Sequence, residues 1–209
     1  MRGRRLPNLT RGVKPRIEQR QRLIIACEGR RTEPEYIARF AADRRNALVT
    51  IEVVKGVGVP KTIVRRAIEE KRRAQRRGEF KPIDQVWAVF DRDEHVCIPE
   101  AYELARTHGI HVAFSNPCFE LWALLHFDNY GSQFTRGEAQ RLLKRVMAGY
   151  DRTGCKTFDY DAMQAGFEEA CERAGRLQRA REGDGSNRGS PYTDVDLLMK
   201  TIAGNGKPR

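Results

Sequence analysis

The chain has 209 residues, with 39 Lys and Arg against 28 Asp and Glu and a net charge of +11. This length suits one ordinary domain with a short appendage, and the excess of cations favours a polyanionic partner. No apolar stretch approaches the ~20 residues that cross a bilayer, and no hydrophobic segment follows the first basic residues, so a soluble, cytoplasmic protein without a membrane partner is expected. The five cysteines are odd in number, widely spaced and free of any Cys-x-x-Cys pair. That pattern points to reduced thiols and away from a zinc ribbon.

Residues 1–22 carry eight basic side chains against Glu18. With Pro7, Pro15 and little apolar periodicity, they are expected to form an extended or disordered arm, suited to nucleic acid or serving as a solubilising tail. Glu18 and the absence of an amphipathic face speak against a mitochondrial transit peptide.

The first strand is predicted at Leu23-Ile24-Ile25-Ala26-Cys27, closed by Glu28. Thr32-Glu33-Pro34-Glu35 then reads as a helix start with Thr32 as N-cap, and Tyr36, Ile37 and Phe40 face inward. A second strand covers 49–54. The turn Gly56-x-Gly58 lacks the third glycine of a dinucleotide fingerprint and follows the wrong strand, so it is no Rossmann site.

A basic helix follows from Pro60 to about Arg77, with Ile63, Val64, Ala67 and Ile68 on one face. Arg65, Arg66, Lys71, Arg72, Arg73, Arg76 and Arg77 cover the rest, either to grip a phosphate backbone or simply to be solvated.

The third strand, Val86-Trp87-Ala88-Val89-Phe90, is closed by Asp91-Arg92-Asp93, and the fourth covers 110–114. His108 and His111 at the intervening turn read as ordinary surface or edge residues. Alternation of strand and helix is the signature of a layered parallel sheet. If the strands are parallel, Glu28, Asp91 and Asp93 gather at one edge, where open α/β sheets bind ligands. Such carboxylates suit Mg²⁺, a hard cation that takes oxygen ligands and substrate phosphates, although acids after strands also serve merely as helix caps or solvated groups.

Asn116-Pro117 starts a helix running to Phe127. Glu120 lies there among Phe119, Leu121, Trp122, Leu124 and Leu125, a setting in which a carboxylate is costly unless it turns toward the strand ends or a cation. His126 falls about 240° around an ideal helix from Glu120 and is expected to pack. Beyond Asp128, helices are predicted over 134–150, 159–181 and 192–202. The polar stretch 183–190 reads as a surface loop, either passive or closing on substrate.

Cys27-Glu28-Gly29 with Thr32-Glu33-Pro34-Glu35-Tyr36, the run Val86 to Glu94, Ser115-Asn116-Pro117-Cys118-Phe119-Glu120-Leu121-Trp122, Leu125-His126-Phe127 and Pro191-Tyr192-Thr193-Asp194-Val195-Asp196 together resemble the RloB-like family. The resemblance covers roughly 20–205.

It implies a Toprim-like α/β core, related to that of topoisomerases, primases and OLD-family nucleases, over 23–127. A mostly parallel four-stranded sheet is expected there, with a helical extension over 128–209. By this resemblance Glu28, Asp91 and Asp93 hold one or two Mg²⁺ or Mn²⁺ ions, and Glu120 is a further ligand or orients one. Arg30, Arg31 and Arg92 lie where they would grip phosphates, Arg92 being the one that an extended segment turns to the opposite side. Arg65, Arg66, Arg72 and Arg73 extend the surface expected for nucleic acid.

The implied activity is nucleic-acid hydrolysis in a phage-defence system beside an ATPase partner. DNA and RNA are not distinguished. A covalent tyrosine mechanism would need a separate domain that is not evident, and a polymerising enzyme would need a nucleotide pocket that is not located. A non-catalytic nucleic-acid-binding or sensor subunit acting on the ATPase is the alternative.

Overall fold

The computed structural model describes residues 21–29, 31–46, 48–53, 59–92, 98–151 and 157–204. The arm up to Arg20, Arg30, the Gly56-x-Gly58 turn and Asp93 lie outside the described residues.

Among the described residues, five strands form one sheet: β1 (Leu23–Cys27), β2 (Val49–Val53), β3 (Gln85–Asp91), β4 (His111–Asn116) and β5 (Tyr192–Thr193). Their order is β2-β1-β3-β4-β5. The first three pairings are parallel and β5 runs antiparallel to β4. The sequence predicts four strands and a helix beginning at Tyr192; instead Tyr192 and Thr193 extend the sheet before the last helix starts at Val195.

Every residue of β1 is buried, as expected of a parallel strand covered on both faces. Side-chain alternation divides the core. Leu23, Ile25, Cys27, Trp87, Val89 and Ala113 meet the helical layer that includes α1 (Thr32–Asp43), α4 (Glu120–Leu124) and α5 (Arg136–Val146). Ile24, Ala26, Val86, Ala88, Phe90 and Phe114 meet α2 (Pro60–Arg76) and α3 (Ile98–His108).

The chain leaves β1 outward to β2 and then returns across β1 to β3, with α1 and α2 on opposite faces. The direction of winding therefore reverses between β1 and β3. Their carboxyl ends flank the crevice where such folds take ligands.

The extension continues with α6 (Tyr160–Gln164), α7 (Phe167–Gly183) and α8 (Val195–Gly204). The single helix predicted over 159–181 is thus two. A β-carbon on Gly166 would lie 2.2 Å from the His126 carbonyl oxygen, so this junction accepts only a bare backbone. The helix expected from Pro117 to Phe127 is shorter: α4 begins at Glu120 and ends at Leu124, and Leu121 and Trp122 in its first turn donate to the carbonyls of Cys118 and Phe119. Thr32 is the first residue of α1, and the N-cap position falls to Arg31. Helix α5 starts with a capping box in which Thr135 and Glu138 satisfy each other's backbone N–H groups.

Pro191 to Asp196 is architectural. The Asp194 carboxylate accepts the Phe114 N–H at 2.5 Å, while its own N–H donates to the Phe114 carbonyl, joining β5 to β4. Asp196 accepts from Gln178 at 2.8 Å and from Lys200 at 2.7 Å. The preceding loop is tied down as well: Arg188 lies 4.3 Å over the Tyr102 ring and its carbonyl accepts from Asn116. Cys27, Cys118 and Cys171 are free and buried. No described helix is long and apolar enough to cross a membrane.

Candidate active site

Glu28 directly follows β1, and its N–H donates to the Val89 carbonyl, so it sits beside the end of β3. Asp91 is the last residue of β3 and is 6 % exposed. Glu120 is the first residue of α4 and is 4 % exposed. These three predicted residues come to one end of the sheet, at the reversal of winding. Asp93 belongs to the same predicted set but lies outside the described residues.

A fourth carboxylate joins them. Glu33 lies in the first turn of α1 and was predicted only as a helix-start acid. Its carboxylate occupies the space a side chain at Gly29 would need, with Glu33 Oε2 1.6 Å from the position of an added β-carbon. Burial, with the charges of Glu120 and Glu28, pushes the Glu33 carboxyl up to about 7, against its own backbone hydrogen bond and Arg136. Asp91 is held well above the ordinary carboxylate range by burial and by repulsion from Glu33 and Glu120, which Arg136 and the Phe119 amide only partly offset. Crowded carboxylates favour protonation unless a cation neutralises them.

Glu120 differs. Burial would raise it too, but hydrogen bonds from Cys118, Tyr150, its own backbone and Gln140 outweigh that effect and hold it below its ordinary value. Tyr150 Oη and Gln140 Nε2 donate to Glu120 Oε1 at 2.7 and 3.0 Å. Glu120 is thereby an oriented anion in the cleft, and Arg136 at the start of α5 is the cation that acts on Asp91 and Glu33.

Helix α5 therefore contributes Arg136 and Gln140, neither of which was predicted; nor was Tyr150. The Thr135-x-x-Glu138 capping box was the available sign that Arg136 opens a helix. Nothing in residue spacing shows which face of that helix meets Glu120.

Arg31 and Arg92 are exposed near the cleft. On α2, Arg65 and Arg72 are exposed, whereas Arg66 and Arg73 pair with Glu70 at 2.9 and 3.1 Å. Lys71 donates to the carbonyls of His108 and Gly109, just before β4. The Arg72–Arg73 end of α2 thus lies toward the amino edge of the sheet, away from the carboxylates, and Arg65–Arg66 lies nearer to them.

His126 packs, as predicted. Its Nδ1–H donates to the Trp122 carbonyl at 2.9 Å, leaving Nε2 to accept from Tyr36 Oη at 3.4 Å, while Tyr36 Oη accepts from Trp122 Nε1 at 3.0 Å. His111 stacks on Trp87 at 4.8 Å.

Among the described residues, no three His, Cys, Asp or Glu side chains stand in ready metal-ligating geometry. The donor chemistry nonetheless fits a hard divalent cation: all-oxygen carboxylates, two of them driven toward protonation by burial and by the acids around them.

Sheet, crevice and acidic cluster define an α/β protein with a polar site at the switch point of its winding. The chain belongs to the RloB-like protein family, whose pattern matches residues 23–202. No curated protein and no solved structure matches it.

Proposed function

We propose that the chain is a metal-dependent nuclease that hydrolyses phosphodiesters of nucleic acid. The observation that carries this reading is the gathering of Glu28, Glu33, Asp91 and Glu120 at the crevice between β1 and β3, with Asp91 and Glu33 raised by burial and by neighbouring carboxylates. Glu28, Glu33 and Asp91, with Asp93, would hold Mg²⁺ or Mn²⁺. When bound, such an ion polarises a phosphate oxygen and lowers the pKa of an attacking water.

The chain's own residues supply the rest. Gln140 and Tyr150 keep Glu120 ionised and oriented, so it accepts a hydrogen bond from a water or ligand at a fixed place. Arg136 balances the carboxylates and is suited to pair with a phosphate oxygen entering the cleft. Arg31, Arg65 and Arg92, exposed around it, favour approach of a polyanion. A role in phage defence beside an ATPase, which the family resemblance implies, belongs to the same proposal.

The test is cleavage of labelled DNA and RNA with Mg²⁺ or Mn²⁺ by the wild type, Glu28→Gln and Asp91→Asn. Metal-dependent cutting that falls by about 100-fold or more in both variants is expected. Cutting that survives in both variants overturns the assignment of the site. Nucleic-acid binding without cutting, even with a co-purified ATPase, points instead to a binding or sensor subunit.

A further inference from the structure

On the far side of α5 from Glu120 lies a cavity of about 510 Å³, within the range of about 300–1,000 Å³ usual for sites that enclose small molecules. At about 100° per residue, Arg136 and Gln140 share one face of α5, while Arg141, Leu142 and Arg145 share the opposite one. The latter three line the cavity with Asn129, Tyr130 and Phe134. The cavity is thus separated from the carboxylates by one helix, a distance of about 10 Å.

We infer that this cavity holds an unpaired nucleotide of the substrate strand, its base against Tyr130 and Phe134 and its phosphates on Arg141 and Arg145. The inference rests on the nuclease reading only in naming the occupant as substrate.

The two rings stand edge to face, with centroids 6.3 Å apart and planes at 80°. Both are only partly buried, so apolar ring surface remains for a base. Base–aromatic stacking is tolerant of sequence, because every base has a π-face.

The charges match as well. Helix α5 carries Arg136, Arg141, Lys144 and Arg145 against Glu138 alone. Glu138 Oε2 is taken up by the Thr135 N–H and hydroxyl, at 2.7 and 2.8 Å. Arg141 reaches Glu138 only at 3.9 Å, and Arg145 makes no ion pair with a described residue. The loop is anchored rather than loose: Arg176 donates to Asn129 Oδ1 at 2.9 Å and Ser190 to the Phe134 carbonyl at 3.4 Å. Paired bases are stacked inside a duplex and cannot enter such a recess, so the cavity selects single strands, loops or ends. A strand seated there crosses the start of α5, where Arg136 leads to the acidic cleft.

The experiment is fluorescence anisotropy of the full chain in EDTA, which prevents cutting, with labelled single-stranded DNA and RNA of about 12 nucleotides. The matching duplex and AMP serve as competitors. Single strands are expected to bind more tightly than duplex. Arg141→Gln with Arg145→Gln should weaken binding by about 10-fold or more, and should flatten the salt dependence by about 1.4 in d log K/d log[salt] for two phosphates lost. Tyr130→Ala should cost about 10-fold and Tyr130→Phe restore it, with unfolding curves confirming that each variant folds.

Unchanged affinity and slope in the double variant overturn the inference, as does equal binding of duplex. Tight AMP binding that single strands fail to displace overturns it in favour of a free nucleotide. Because no cutting is read, failure here leaves the nuclease reading standing, and absence of cutting elsewhere leaves this one standing.

Discussion

Gly29 and Glu33 show how one missing β-carbon shapes the cleft. An alanine at position 29 would fill the space of the Glu33 carboxylate, which sits at the end of a flexible side chain and can move aside. Gly29→Ala is therefore expected to change stability by less than about 1 kcal/mol while reducing metal-dependent cleavage by about 10-fold or more; parallel denaturation and rate measurements check both halves.

His126 gives a pH signature. Burial first, with Arg173 adding to it, pushes its imidazole down to about 4, against the hydrogen bond to Trp122. Above the ordinary value of 6.5, both folded and unfolded chains hold it neutral and its contribution is complete. As pH falls from 6.5 toward 4, only the unfolded chain takes up the proton, so stability is lost, on the order of 3 kcal/mol in total.

Glu33 and Asp194, both raised to about 7, act with the opposite sign: their contribution is complete at low pH and fades as pH rises toward 7. The His126 effect is isolated by urea titration of the wild type and His126→Gln at pH 7 and 4.5. The stability gap between them should narrow at the lower pH; a gap that widens contradicts the buried neutral imidazole.

Glu28 and Asp91 were legible because each closes an apolar run. Glu33 was not, because an acid in a first helical turn has an ordinary explanation in the helix dipole.

At the scale of elements, alternation of apolar runs and amphipathic stretches sufficed for β1 to β4, α1 and α2. It failed where structure depends on distant partners. Tyr192–Thr193 is too short to show a period, and its pairing depends on Ser115 and Asn116. The division between α6 and α7 arises from the His126 carbonyl, some forty residues earlier in the chain. Gly166→Ala is expected to cost about 1–3 kcal/mol through forced backbone movement, measured as a lower denaturation midpoint at unchanged slope. A cost near zero would mean that the junction relaxes freely.

For the whole molecule, the cleft couples stability to ligand. In the absence of a cation, Asp91 stands buried beside like charges, so Asp91→Asn should stabilise the metal-free protein by about 1–2 kcal/mol, or a few degrees in melting temperature, while abolishing cleavage. Mg²⁺ or Mn²⁺ should raise the melting temperature of the wild type and act much less on the variant. Thermal melts of both proteins, with EDTA and with metal, decide the matter. A wild type indifferent to metal, with Asp91→Asn destabilised, would make Asp91 a structural carboxylate.

The hydrogen bonds by which Asp194 fastens β5 onto β4 bear on the life of the chain at the ribosome. Strand β4 emerges long before its cover, and until Tyr192 and Thr193 arrive its outer row of N–H and C=O groups is an open template for misassociation. A product stalled or cut ahead of Pro191 already contains Glu28, Asp91 and Glu120 yet cannot close its sheet. Such a fragment, though it carries these acids, is expected to associate through its unfinished edge more readily than the whole chain does.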